Sequence, residues 1–416
     1  MHYTEDGTKG SMNILYISSG ISFGKHKYKC GINHSLNFLK ALSIDNEITL
    51  VMFTDFDKEE LRPLVGELCE EVILVRRNAY NRFAHRILRL YCFLRNELAE
   101  FYKDRSMEMK AQLEALNQPD RFDIAIYDNY SIVQYSDCIN HIPKLLNLTD
   151  SMTLKSQEAL KNPTIGLFNR AELVRRMGRT KELEKNDYRA FSKCIVVAKN
   201  DRDTLLELNP LLDIVVIPLH IDTEYFKKGS DEKEGLIIFT GIPWAEHNAD
   251  AIHYFCADIY PLIKMKTDRV RLLLIGGRQR KEIKRLIAND PNVITLGFFD
   301  DIRPYLDHAT VFISPMRIGS GMNMKMLEAM SMSKAIVATE YANRSIGLVS
   351  GREAVICRDR FEFADAVVSL LTDTDKRHFL GANARKKAEA DFSIEVYARK
   401  LQELIEATTG DKGKIP

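Results

Sequence analysis

The stretch Ile313-Ser-Pro-Met-Arg-Ile-Gly-Ser-Gly-Met-Asn-Met-Lys-Met-Leu-Glu-Ala-Met-Ser-Met332 reads as a strand end, a glycine turn and a helix that is apolar almost all round. Met322, Met324, Met326, Leu327, Ala329, Met330 and Met332 cover most of a helical wheel, the pattern of a helix with no solvent face. Two charges sit inside it. At about 100° per residue, Gly321, Lys325 and Glu328 fall within an arc of roughly 60°, so a gap in the turn, a cation and a carboxylate line one strip. A buried charge costs free energy unless something pairs with it. One reading is an ion pair between Lys325 and Glu328, three residues apart on the helix surface. The other is a ligand: Gly319 and Gly321 let the backbone approach closely, the free N–H groups of a helix start hold an anion, and Lys325 adds charge. On that reading a phosphate lies at the helix start and Glu328 holds a hydroxyl-rich group.

Outward from this stretch, the second half alternates short apolar runs (236–240, 271–275, 293–296, 311–314, 335–338, 354–357) with helix-like segments near 249–262, 279–288, 302–308 and 322–332. The first half has the same alternation, with runs at 13–18, 47–53, 72–75, 123–127, 144–148, 194–198 and 214–218. Short β-rich runs separated by helices predict parallel α/β sheets, and two such sheets in tandem predict a cleft between domains. The polar run 227–233 marks the junction, and 361–371, 376–391 and 394–407 read as amphipathic helices. The expected organisation is a leader at 1–11, a first domain at 12–218, a second at 219–392, and a final helix and tail at 393–416 that cross back onto the first.

Ligands of such sheets lie beyond the carboxyl ends of the strands. In the first half this singles out the glycine loop 20–31 and Asp150, which follows a buried strand and reads either as a polar site residue or as a helix N-cap. In the second half the strands run into Gly241, into Gly276 and Gly277, and into Gly297, which together with Gly319 and Gly321 suggest one glycine-lined pocket.

Composition sets the limits. With 416 residues, 45% hydrophobic and 28% charged, the chain has the make-up of a normal soluble protein of two domains. The 59 basic and 58 acidic residues produce no global field that would recruit nucleic acid. Seven scattered cysteines without a CxxC pair suggest neither a disulfide framework nor a zinc site, and fit a reducing cytoplasm. No apolar run is long enough to span a bilayer. The stretch 76–95 interleaves arginines with aromatic and aliphatic residues, from Arg76 to Arg95; it reads either as a helix lying on an anionic membrane face or as one covering the sheet. No GxxxxGK[ST] loop is present, and no GxGxxG follows the first strand. The pairs Asp55/Asp57 and Asp373/Asp375 lie among solvated charges, so no metal is expected, and His141 and His220 read as structural.

The second half resembles the nucleotide-sugar domain of GT-B glycosyltransferases of the large retaining group (glycosyl transferases group 1, family 4-like). The resemblance rests on Pro315…Gly319-Ser-Gly321…Lys325-Met-Leu-Glu-Ala-Met330…Lys334-Ala-Ile-Val-Ala-Thr339…Gly347, supported by Phe239-Thr-Gly-Ile-Pro-Trp-Ala-Glu-His-Asn248 and Leu273-Leu-Ile-Gly-Gly277. It implies two Rossmann-like domains facing a central cleft, no cofactor, and a nucleoside diphosphate sugar as co-substrate. Glu328 would hold the ribose hydroxyls, and Lys325 with the backbone of Gly319, Ser320, Gly321, Met322 and Asn323 the diphosphate. Phe298 would meet the base, and Gly241, Gly276 and Gly31 would line the donor. Asp150 resembles an acceptor-side residue with a catalytic role. Two departures stand out. Ser320 occupies the place of a second glutamate, and the Arg/Lys pair found in relatives after the Gly241 strand is missing, leaving Arg317 and Lys325 to replace it. The implied reaction is retaining sugar transfer to a glycan, glycolipid or small hydroxyl acceptor. A sugar-nucleotide epimerase and a non-catalytic GT-B-like subunit are the alternatives.

Overall fold

The computed structural model describes residues 11–21, 34–55, 61, 65–77, 87, 91, 92, 95, 97–162, 165–229, 232–299 and 301–410. Two parallel sheets organise them. The first contains β1 (Asn13–Ser18), β2 (Glu47–Thr54), β3 (Glu71–Arg76), β4 (Ile124–Asp128), β5 (Lys144–Thr149), β6 (Lys193–Val196) and β7 (Ile214–Val216), in the order β3-β2-β1-β4-β5-β6-β7. The second contains β8 (Leu236–Thr240), β9 (Arg271–Ile275), β10 (Val293–Leu296), β11 (Val311–Ser314), β12 (Ala335–Thr339) and β13 (Val355–Cys357), in the order β10-β9-β8-β11-β12-β13. Both are doubly wound, with the order reversing between β1 and β4 and between β8 and β11, the switch points where such sheets bind ligands.

The central strands are apolar along their whole length because helices cover both faces. β4 and β8 are buried at every position, and β1 at every position after Asn13. Each fully buried Leu, Ile or Val contributes about 1.5–3 kcal/mol, so these strands anchor their domains. Edge strand β10 has no fully buried residue, with Ile294 and Thr295 exposed and its two ends half-buried.

The C-terminal helix Ile394–Gly410 crosses back to the first domain. Its Tyr397, Ala398, Leu401 and Ile405 join the core around Ile14, Tyr16 and Phe38, and the Tyr397 ring meets Phe38 edge-on at 6.2 Å. Asn46 in the first domain donates to Gln402 at 3.0 Å. His220 packs on the same Tyr397 ring at 4.9 Å and contacts the Asn37 carbonyl, a structural placement. Asp373 caps the helix Thr374–Phe392, and Asp55 pairs with Arg77.

Within 76–95, most residues lie outside the described set. Arg77 is drawn inward to Asp104 at 3.1 Å, and Arg95 lies over the Tyr91 ring at 5.8 Å. No helix among the described residues is long and apolar enough to cross a membrane.

Candidate active site

The turn between β11 and the helix Met324–Ser331 is built by two glycines in conformations that side chains rarely adopt, Gly319 at φ +140° and Gly321 at φ +66°. Turning takes all the residues up to Asn323, so Gly321 lies outside the helix. Asn323 ties the turn back to the strand by donating to Ser314 Oγ at 2.9 Å. Met326 to Ser331 are all buried, whereas Met322 and Met324 pack against Val197 and Ala198 of the first domain and Leu219 at the junction. The start of this helix is therefore pinned between the two domains.

Lys325 does not pair with Glu328. Its ammonium donates to Asn248 Oδ1 at 3.0 Å and lies 5.7 Å from the centre of the Phe239 ring. Asn248 is in turn held by donating to the Ile242 carbonyl. Gly241 is required for this arrangement, since a β-carbon there would lie 2.9 Å from the Asn248 carboxamide. Glu328 is 5% exposed, and among the described residues its carboxylate accepts no hydrogen bond and meets no cation within ion-pair distance. Burial pushes its carboxyl up to about 7 against the pull of Lys325, and burial likewise brings Lys325 down to about 8.

A pocket opens over this turn, lined by Gly319, Ser320, Gly321, Lys325, His247 and Tyr341 among others. A β-carbon on Gly319 would meet only His247, at 3.6 Å, so its open side faces the pocket. His247 is driven down to about 3 by burial and then by Lys325 and Lys155, which keeps it neutral. The other rim glycines serve a different purpose. Gly276 abuts the Gly241 carbonyl, where a β-carbon would overlap it at 2.1 Å, so these two pack on each other. Gly277 is covered by Trp244 and Phe298, whose exposed rings lie 5.7 Å apart. Arg317 is held by Asp250 at 2.7 Å and stacks over Tyr254 at 4.2 Å, which neutralises its charge away from the turn. Gly31 lies outside the described residues.

The first domain meets this turn with carboxylates. Asp150 follows β5, whose last residue, Thr149, holds φ +67°, a strained state for a β-branched residue. Asp150 Oδ1 abuts Gly321 so closely that a β-carbon there would lie 2.0 Å away. Asp150 does not cap the following helix: Ser151 does, accepting from Leu154 N. Two further carboxylates hold that turn from beneath. Asp201 Oδ1 accepts from Ser151 N at 2.8 Å, and Glu184 Oε1 accepts from Met152 N at 2.6 Å and Ser151 Oγ at 3.1 Å. Both are 0% exposed, and among the described residues the second oxygen of each has no hydrogen-bond partner. Burial, reinforced by the Asp150 charge, pushes Asp201 up to about 7, and burial also raises Glu184.

A second contact joins the domains. Tyr341 Oη lies 2.6 Å from both Glu158 Oε2 and the Gly319 carbonyl, and Arg344 donates to the same carbonyl at 2.6 Å. Asp201, Glu184, Glu158, Tyr341, Arg344 and His247 were not singled out by the sequence reading, because each depends on a partner far away in the chain.

Residues 234–373 match the family model described as Glycosyl transferases group 1. An uncharacterized 44.6 kDa protein in the cps region of Klebsiella pneumoniae is 20% identical over 86% of this chain and 90% of its own length. The capsular polysaccharide biosynthesis glycosyltransferase CapM of Staphylococcus aureus is 22% identical over 35% of this chain and 40% of its own. Among solved structures, Anabaena HepE in complex with UDP and glucose superposes with a TM-score of 0.63 and 14% identity, covering 95% of this chain and all of that one. The chain thus has the GT-B fold, and its second domain resembles the Glycosyl transferases group 1 family over residues 234–373.

Proposed function

We propose that the chain transfers a sugar from a nucleoside diphosphate sugar to a hydroxyl acceptor, with the donor seated on the Gly319–Asn323 turn. The observation that carries this reading is the Glu328 carboxylate, 5% exposed and without a hydrogen bond among the described residues, one helical turn beyond Lys325 and the open Gly319 backbone. An unpartnered buried carboxylate is costly, and a pair of ribose hydroxyls satisfies it. The adjacent N–H groups and Lys325 match the diphosphate that a ribose brings with it.

In the transfer, the bond between the anomeric carbon and the diphosphate oxygen breaks and its electron pair leaves with that oxygen. The turn and Lys325 stabilise the charge where it develops. The acceptor oxygen bonds to the anomeric carbon, and its proton passes to Asp150, which faces the turn from the first domain. The anomeric configuration is retained, as the resemblance implies. HepE was solved with UDP and glucose on the same fold, which supports this class of donor. The cps region of the Klebsiella relative and the capsular polysaccharide biosynthesis named for CapM support a glycan acceptor.

Calorimetric titration with UDP, GDP and ADP tests the donor site. Binding of at least one is expected, weakened about 100-fold in Lys325→Ala and comparably in Glu328→Ala. Unchanged affinity in both variants would sink the assignment.

A further inference from the structure

We propose that Lys155, on the first domain, is a second cation for the donor diphosphate, reaching across the cleft to the Gly319–Gly321 turn. This rests on the donor reading above and adds to it a residue from the opposite domain.

The helix Met152–Leu160 lies across the mouth of the turn and touches it at both ends. Before its start, Asp150 abuts Gly321; near its finish, Glu158 meets the Tyr341 hydroxyl, which itself contacts the Gly319 carbonyl. Lys155 lies between these contacts, three residues before Glu158 and so on the same face. It is exposed, and among the described residues its ammonium has no ion pair and no hydrogen bond. Its charge acts on His34 of the first domain and on His247 of the second, whose β-carbon lies 3.6 Å from where a Gly319 β-carbon would be. The two histidines lie one on each domain, so the charge of Lys155 is felt on both sides of the cleft.

Charge balance gives it a task. The Lys325 ammonium is already engaged by Asn248, and burial brings it down to about 8. Arg317 is matched by Asp250, and Arg344 is held by the Gly319 carbonyl with Glu158 at 4.0 Å. His247 is neutral. A diphosphate is an anion at both phosphates and gains charge as it leaves, so amides and a single lysine leave it under-neutralised. Of the cations around this turn, Lys155 is the one without an acceptor among the described residues, and its long stem lets it follow the leaving group.

Because Lys155 is exposed, replacing it leaves the fold intact, which makes the test direct. Lys155→Met and Lys155→Arg are compared with wild type by calorimetry with UDP, GDP and ADP at low and high salt, alongside Lys325→Ala and thermal melts. Lys155→Met is expected to bind the preferred nucleoside diphosphate about tenfold more weakly, with a flatter salt dependence and an unchanged melting midpoint. Lys155→Arg is expected to restore affinity to within about threefold. Normal affinity in Lys155→Met while Lys325→Ala is impaired overturns this proposal and leaves the donor site standing. A loss in Lys155→Met that arginine does not rescue, with the salt dependence unchanged, makes the residue structural and also overturns it. Failure of wild type to bind any of the three overturns it together with the donor site.

Discussion

The two sheets share one strand order through their first six strands, yet the carboxyl edges they turn toward each other are opposite in electrical character. The second domain presents backbone N–H groups, two glycines and Lys325. The first presents carboxylates: Asp128 at the end of β4, Asp150 after β5, and Asp201 and Glu184 beneath Asp150. Asp128 is fixed by the Ser18 hydroxyl at 3.1 Å and the Asn147 amide at 2.8 Å, and burial raises its carboxyl. Topology thus decides where each domain can bind, and the side chains decide what. The N–H groups and cation suit a leaving diphosphate, and the carboxylates suit a hydroxyl that must be oriented and lose a proton.

The sharpest way to break this division is Asp150→Asn. An acceptor-side base predicts that turnover falls about 100-fold while nucleoside diphosphate affinity moves less than about threefold. Equal losses in both would place Asp150 on the donor and erase the contrast between the two edges. Steady-state kinetics with the donor found by a panel, together with calorimetry, decide between these outcomes.

Asp201 offers a probe of how the first domain keeps its anions buried. Its carboxyl is pushed from an ordinary value of 3.8 up to about 7, by burial first and by the Asp150 charge second. A raised acid holds its proton in the fold over a range where the unfolded chain has released it. Its contribution to stability is therefore complete below about pH 4 and is lost as the pH rises toward 7. Asp201→Asn removes that slope. The fall in stability of wild type between pH 4 and pH 7 should shrink by about 3 kcal/mol in the variant. Denaturant melts at the two pH values measure it, and identical pH dependence in both proteins would show that Asp201 stays ionised in the fold. Glu184 and Glu328, also raised by burial, leave part of the slope in place.

These carboxylates also mark the limit of what the sequence discloses. The thirteen strands among the described residues lie at apolar runs of the sequence, and the central ones are continuously apolar because both of their faces are covered. The Gly319–Met332 stretch was legible for a related reason: two charges inside an all-apolar helix demand an explanation. The apolar pattern nevertheless starts the helix at Met322, two residues early, since the turn occupies the positions before Met324. It also could not supply Asn248, which lies 77 residues before Lys325 yet holds its ammonium. The rim glycines looked like a ligand-lined wall, whereas Gly241 and Gly276 need their missing side chains for each other and for Asn248. Glu184 gives no local signal at all. It lies among other acidic residues in a polar twenty-residue helix, and only the fold shows that it is the one turned inward to the helix start that follows Asp150.

The smallest expected effect bears on the rim of the second domain, where Trp244 and Phe298 are 55% and 52% exposed despite being large and apolar. They form an aromatic pair above Gly277, with no counterpart singled out on the first domain's edge. If Phe298 meets the base, Phe298→Ala should weaken the preferred nucleoside diphosphate about threefold, the worth of one partly exposed ring contact. Inorganic pyrophosphate, which has no base, should compete equally well in variant and wild type. Trp244 is the only tryptophan of the chain, so its fluorescence reports the event directly, and a nucleotide-induced change that pyrophosphate does not reproduce is expected. Equal weakening toward both ligands would mean that the aromatic pair braces the Gly276–Gly277 backbone instead. The second domain's edge would then recognise only the diphosphate and ribose, and base selectivity would have to come from elsewhere in the cleft.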